Sequence, residues 1–309
     1  MSTHPFSEDS LHEKKSAALS SVIAAVALTV FKIIVGFATG SLGILAEAAH
    51  SGLDLMAAVM TFLAVRFSGK PADQDHLYGH GKVENLSGLF ETLLLLLTCG
   101  WIIYEATHRL LFHALDIEVN VWSFAVMATS IGVDISRSRM LYRVAKKFNS
   151  QALEADALHF STDIWSSAVV IVGLFCVKLS KWVPGWTILR QADSIAAILV
   201  GFIVVYVSVQ LGIRTVQALL DVAPSGIEKE ITSAVEIVPG VADCHKVRVR
   251  YSGPQLFVDI HVLIDGNKTL EEAHHLTEEI ERVIQRLVPN ADVTVHPEPK
   301  LEQNVSSRP

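Results

Sequence analysis

The sequence predicts a membrane α-helical protein, a six-helix transmembrane bundle followed by a small cytoplasmic α+β domain. Three observations lead there. Half of the 309 residues are hydrophobic and only 18% are charged, with a mean hydropathy of +0.40, more apolar than a soluble domain of this size. Six apolar stretches can be marked, each of the roughly 20 residues needed to cross a bilayer. After Leu220 the composition turns acidic and periodic as far as about Pro299, with no run long enough to span.

The chain opens on a polar segment, residues 1–16, that leads straight into span one at 17–38. No small-residue cleavage pattern follows a short apolar core, so this segment reads as retained and not as a signal peptide. Spans two to six follow at 42–67, 86–106, 119–141, 157–179 and 195–213. Lys14, Lys15, Arg66, Lys70, Lys82, Arg137, Arg139, Arg143, Lys146, Lys147 and Arg214 fall on one side of these spans, against Arg109, Lys178, Lys181 and Arg190 on the other. Retained cytoplasmic loops are enriched in such cations, so both termini are expected in the cytoplasm. The division is then an N-terminal segment 1–16, a transmembrane domain 17–213, a soluble domain 214–300 and a tail 301–309.

Within the soluble domain "IEKEITSAVEIV" reads as a short helix, and "HKVRVRYS" and "QLFVDIHVLID" alternate as strands around "SGP". "TLEEAHHLTEEIERVIQRLV" is a second helix opened by the capping box Thr269 and Glu272, with an apolar stripe of Ala273, Leu276, Ile280, Val283, Ile284 and Leu287. "ADVTVHPEP" is the last strand. The order αββαβ makes one helical layer on a three-stranded sheet.

Composition also excludes several classes. A net charge of -7 leaves no basic footprint for nucleic acid. Cys99, Cys176 and Cys244 are odd in number and contain no CxxC pair, which supports neither a disulfide framework nor a cysteine zinc site. No GxxxxGK[ST] loop or DKTG motif is present, so transport driven by ATP is disfavoured.

The informative residues are the ionisable ones inside the apolar spans. "HSGLD" on span two and "HFSTD" on span five each place a histidine four residues before an aspartate, His50 with Asp54 and His159 with Asp163. At about 3.6 residues per turn each pair shares one helix face. Ionisable groups at membrane depth cost about 2.5 to over 10 kcal/mol each, so they face a bundle interior, a partner or a water-filled path. One such pair is as well explained by interhelical hydrogen bonding. Two matched pairs on separate spans supply two imidazoles and two carboxylates, a tetrahedral set suited to Zn(II). Glu47, Glu91, Glu105, Asp134, Asp156 and Asp193 read as interfacial or vestibule carboxylates; Glu47, one turn before His50, is placed to line an outward access route.

Two further groups lie outside the spans. Asp73, His76 and His80 crowd a short polar loop beside Gly79 and Gly81, where a plain turn with solvated histidines is the simpler alternative. His245, His261, His274, His275 and His296 are spread over the soluble domain, with Glu298 two positions beyond the last. His261 shares a strand face with Asp259, a spacing that permits a polar, metal-binding sheet surface.

Taken together, "HSGLD", "HFSTD", "PADQDHLYGHGKVE" and the closing "VHPEP" resemble the cation diffusion facilitator family, over nearly the whole chain. The resemblance implies a homodimeric exporter of divalent metal ions in the inner membrane of a bacterium, exchanging Zn(II) for protons across the lipid bilayer, with metallochaperone-like cytoplasmic domains. It implies that His50, Asp54, His159 and Asp163 form the transport site and that Asp73, His76 and His80 form a loop site. His245, His261, His274, His296 and Glu298 would form a cytoplasmic binuclear site bridging the protomers. Lys82 and Asp221 match a charge interlock at the membrane-proximal dimer contact. The pairing of two histidines with two aspartates is similar to that of zinc-selective relatives, which implies that larger, softer Cd(II) is handled less well. Cd, Co, Mn or Fe remains an alternative cargo, and an intramembrane zinc hydrolase or a metal sensor is a rival of another class. A hydrolase needs an open coordination position, which four protein ligands would close.

Overall fold

In the computed structural model the described residues are 8–40, 42–112, 121–180, 192–289 and 291–300. The expected tail 301–309, the first residues of the N-terminal segment, Lys181, Arg190 and the start of span four at Val119 lie outside them. The order is α1 (Glu8–Thr39), α2 (Leu42–Ser68), α3 (Lys82–Phe112), α4 (Val121–Phe148), α5 (Gln151–Ser180), α6 (Ala192–Leu219), α7 (Ile227–Glu236), β1 (Val241–Ser252), β2 (Gln255–Asp265), α8 (Leu270–Leu287) and β3 (Asp292–Lys300). Two compact units divide them, one over Glu8–Val216 and one from Gln217 onward.

The helical unit is apolar on its outside. Phe37, Leu97, Trp101, Phe202 and Tyr206 are all more than half exposed, the arrangement expected of helices whose solvent is lipid. Asp9–Thr39, Glu47–Ser68, Lys82–His108 and Ile198–Leu219 are long and apolar enough to cross a membrane. α4 and α5, at 28 and 30 residues, match them in length, but α4 carries Asp134, Arg137, Arg139 and Arg143 within the helix. Inside, small side chains let backbones approach: Ala17, Ala18, Ala145, Ala152 and Ala157 pack with Val65, Leu141, Leu153 and Phe160 between α1, α2, α4 and α5. Gly88 of α3 is another close approach, since a Cβ there would stand 3.1 Å from the Gln151 carbonyl oxygen.

The second unit follows the expected αββαβ order. β2 is central, antiparallel to β1 and parallel to β3. Its burial alternates strictly, so Leu256, Val258, Ile260, Val262 and Ile264 enter the core. They meet Ile231 and Val235 of α7 and Leu276, Ile280 and Ile284 of α8. α8 opens on the capping box, Glu272 N–H donating to Thr269 Oγ1 at 3.2 Å and Thr269 N–H to Glu272 Oε2 at 2.7 Å. Leu287, counted in the apolar stripe, is 47% exposed because the helix ends there.

Candidate metal centres

α2 carries His50 and Asp54, and α5 carries His159 and Asp163. His159 Nε2 lies 3.0 Å from Asp54 Oδ1 on the other helix and 3.8 Å from Asp163 Oδ2 on its own. His50 Nε2 stands 3.9 Å from Asp54 Oδ1. Ligand atoms of His50, Asp54 and Asp163 all fall within 4.8 Å of one another. The two pairs therefore meet across α2 and α5: His50, Asp54 and Asp163 form the close set, and His159, outside it, reaches Asp54 and Asp163. A cavity of about 110 Å³ opens beside them, lined by residues of α1, α2, α4 and α5.

The cavity also contains charges that sequence reasoning passed over. Lys32 of α1 is 5% exposed; its ammonium donates to Ser51 Oγ at 2.7 Å and to Glu47 Oε2 at 3.3 Å. Arg137 of α4, counted above as a topology signal, is 4% exposed, lies 3.5 Å from Asp134 Oδ1, donates to Ser21 Oγ at 3.0 Å and stacks on the Phe160 ring. Glu91 and Asp156 do not sit at an interface or vestibule as expected: at 2% and 0% exposure, they are buried. Glu91 accepts a hydrogen bond from Thr61 Oγ1, and Asp156 Oδ2 accepts one from Ser21 Oγ. Their position on inward helix faces decides this, and hydropathy averaged along a helix does not record faces. The side chain of Asp193 lies outside the described residues.

In the loop between α2 and α3, Asp73 organises the turn. Its Oδ1 accepts from the backbone N–H of His76 at 2.7 Å and of Asp75 at 3.0 Å. The His76 N–H, more than any other contact, holds the Asp73 carboxyl below the usual aspartate range. His76 Nδ1 stands 3.1 Å from Oδ1 and His80 Nε2 3.3 Å from Oδ2, the two rings 4.3 Å apart. Gly79 at φ +75 makes the return that brings His80 back. The three expected residues are within ligand range of one another.

On the sheet, strand register does the positioning. His245 of β1 pairs with His261 of β2, which pairs with His296 of β3, so three histidines form one row across the strands. An irregularity in β1 between His245 and Arg248, with Lys246 at φ +51, sets that pairing. Glu298, two residues beyond His296 on the same face, lies 2.7 Å from His261 Nδ1, 3.2 Å from His245 Nε2 and 3.9 Å from His296 Nε2. Its hydrogen bond with His261, then the charges of Lys246 and His245, keep the Glu298 carboxyl below its ordinary value. His245, His261 and Glu298 form the tight set, with the His296 ring 4.7 Å from that of His261. His274 stands apart on α8, 3.7 Å from Glu278 of its own helix. Burial pushes the Cys244 thiol up to about 11, its side chain entering the core on the face of β1 away from His245.

Asp221, just past α6, lies 3.7 Å from Arg250 within the second unit, whereas Lys82 opens α3 in the first.

Residues 18–220 match the cation efflux transmembrane domain and residues 223–300 the cation efflux protein cytoplasmic domain. The cation-efflux pump FieF of Salmonella arizonae is 33% identical over 288 residues, 92% of each chain. That of Yersinia enterocolitica is 34% identical over 292 residues, again 92% of each. Among solved structures, the Zn form of CzrB is 29% identical and covers 25% of this chain and 90% of that one, at a TM-score of 0.24.

Proposed function

The chain belongs to the cation diffusion facilitator family of cation efflux transporters, and on that premise we propose that it exports Zn(II) in exchange for protons as a homodimer with six transmembrane spans. Members of the family are transporters and not enzymes, and divalent metal transport follows from membership. The rest is our reading. The observation that carries it is the 3.0 Å approach of His159 Nε2 to Asp54 Oδ1, which joins the two histidine and aspartate pairs across α2 and α5.

His50, Asp54, His159 and Asp163 hold the ion. Two imidazoles and two carboxylates match the four-coordinate preference of Zn(II), and nitrogen donors separate it from Mg(II) and Ca(II), which seek oxygen alone. Imidazole titrates near 6.5 when unperturbed, and a metal ion and a proton compete for the same lone pair. Loading from the cytoplasm therefore releases protons, and protons from the more acidic side displace the metal. Alternating access needs no covalent intermediate.

The loop set Asp73, His76 and His80 and the sheet set His245, His261, His296 and Glu298 bind further ions outside the membrane. The match to a domain named for dimer formation supports the sheet set's bridging two protomers. His274, which stands off the sheet set within one chain, completes the cytoplasmic site in the dimer, and Lys82 and Asp221 form a charge interlock near the membrane surface. α4 and α5 complete six spans beside the four apolar helices, with both termini in the cytoplasm, in line with the lysine and arginine asymmetry.

The test is zinc flux in sealed proteoliposomes with an imposed pH gradient. Asp163→Ala is expected to abolish flux while the protein stays folded by size exclusion and circular dichroism. Flux at the native rate in that variant overturns the site assignment, and zinc flux indifferent to the pH gradient overturns the exchange.

A further inference from the structure

Lys32 is a charge inside an apolar helix, and its position gives it a task. It lines the same cavity as His50, Asp54 and Asp163. Thr29, one turn earlier on α1, donates to the Ser51 carbonyl at 3.0 Å, so α1 grips α2 at the turn that carries His50. From there the Lys32 ammonium holds Ser51 Oγ at 2.7 Å and Glu47 Oε2 at 3.3 Å.

Glu47 is the residue this contact restrains. Positions 47, 50 and 54 are spaced i, i+3 and i+7, so Glu47 stands on the helix face that presents His50 and Asp54. Its side chain also lines the cavity and is 58% exposed, so burial does not confine it. A long, exposed carboxylate one turn from the proposed ligand His50 is a ready additional oxygen donor.

We propose that Lys32 is a specificity-determining residue for transport: by engaging Glu47 it keeps that carboxylate off the ion and holds the site at two imidazoles and two carboxylates. The inference rests on the transport site proposed above. With Glu47 released, the site gains a third carboxylate and loses a neighbouring positive charge. More oxygen donors and a higher coordination number favour Mn(II), which accepts six oxygen-rich ligands, over Zn(II), which is satisfied with four. Lys32 thus excludes one class of ion without touching any ion itself.

The test measures the ratio of Mn(II) to Zn(II) taken up by proteoliposomes holding the full chain, read as metal content of washed vesicles. Lys32→Met is expected to raise that ratio by about tenfold, the scale of one charge-assisted interaction. Lys32→Arg keeps the ratio low, and the double variant Lys32→Met with Glu47→Gln returns it toward the native value. Lys32→Gln, which keeps a donor for Ser51 and removes only the charge, moves the ratio the same way and serves if the methionine variant does not fold. An unchanged ratio in the Lys32 variants overturns the proposal, as does a raised ratio that persists when Glu47 is also replaced. Asp163→Ala in the same vesicles separates the two levels. Loss of its flux beside an unmoved ratio defeats only the role of Lys32, while retained flux defeats the site and this inference together.

Discussion

Glu84→Gln removes a charge that has no access to water and that ties four helices together. Oε1 of Glu84 lies 2.5 Å from the Lys14 ammonium of α1 and accepts from Ser68 Oγ, the last residue of α2, at 2.7 Å. Oε2 accepts from Ser150 Oγ at the start of α5. Lys14 and Glu84 are 1% and 0% exposed. An amide at this position still occupies the space and offers one acceptor, but it takes the carboxylate charge of Glu84 away from the buried Lys14 ammonium, a loss of about 3–5 kcal/mol. Replacing both partners, Lys14→Met with Glu84→Leu, removes both desolvated charges and is expected to fall within about 1–2 kcal/mol of the native chain. Ser68 keeps its contact with the Val65 carbonyl at 3.1 Å and so contributes little to the cost.

The assay is reversible unfolding of the purified protein in mixed micelles followed by tryptophan fluorescence. All five tryptophans lie between positions 101 and 186, so the signal reports on the helical unit alone. A Glu84→Gln variant that loses less than about 1 kcal/mol refutes the burial argument. So does a double variant whose loss equals the sum of the single ones, because an interacting pair must be non-additive.

Two further predictions concern the second unit. Ile260→Ala, at a position 1% exposed in the middle of β2, is expected to cost about 2–5 kcal/mol and to lower amide-exchange protection of β2 and α8 in the full-length chain; unchanged protection contradicts the core assignment. The Thr269 backbone N–H keeps the Glu272 carboxyl below its ordinary value of 4.5. A depressed folded value means that the cap stabilises α8 above the ordinary glutamate range and that this contribution is lost as pH falls through the lowered value. In Glu272→Gln the exchange protection of the first turn of α8 is therefore expected to be flat with pH across that window, while the native chain shows a fall; parallel profiles refute the linkage.

Both the αββαβ order and the paired donors were legible because each has a period. β2 alternates without a break, and two HxxxD spacings put four donors on two helix faces. Lys32, Arg137 and Glu84 were not legible, for a common reason. Hydropathy windows and cation counts treat a helix as a rod with one composition, whereas each of these charges is bound by a partner on another helix, at sequence separations of 19, 116 and 70 residues. Lys14 and Arg137 show the effect plainly: both entered the topology count as residues beside water, and both are buried. The row His245, His261 and His296 lay between these cases. Alternation put His261 on a polar face, but the alignment of three strands depends on the irregularity before Arg248, which nothing in "HKVRVRYS" announces.

The two principal proposed metal sites differ in what an ion would do to the chain. α2 packs chiefly on α1, and α5 chiefly on α4, with α3 touching both α2 and α5. Ligands drawn two from α2 and two from α5 would therefore bridge two helices that touch each other directly only a little, and a bound ion would favour whichever relative placement of the two closes its coordination. The same ion on the sheet would meet His245, His261 and Glu298 brought together by strand pairing, on the face of β2 opposite its core residues. Binding energy at the proposed membrane site would thus act between two helices, and binding energy on the sheet of a single chain within one set of paired strands. A transporter needs the first property, since an ion that moved no helix could not change the side of the membrane to which its site opens.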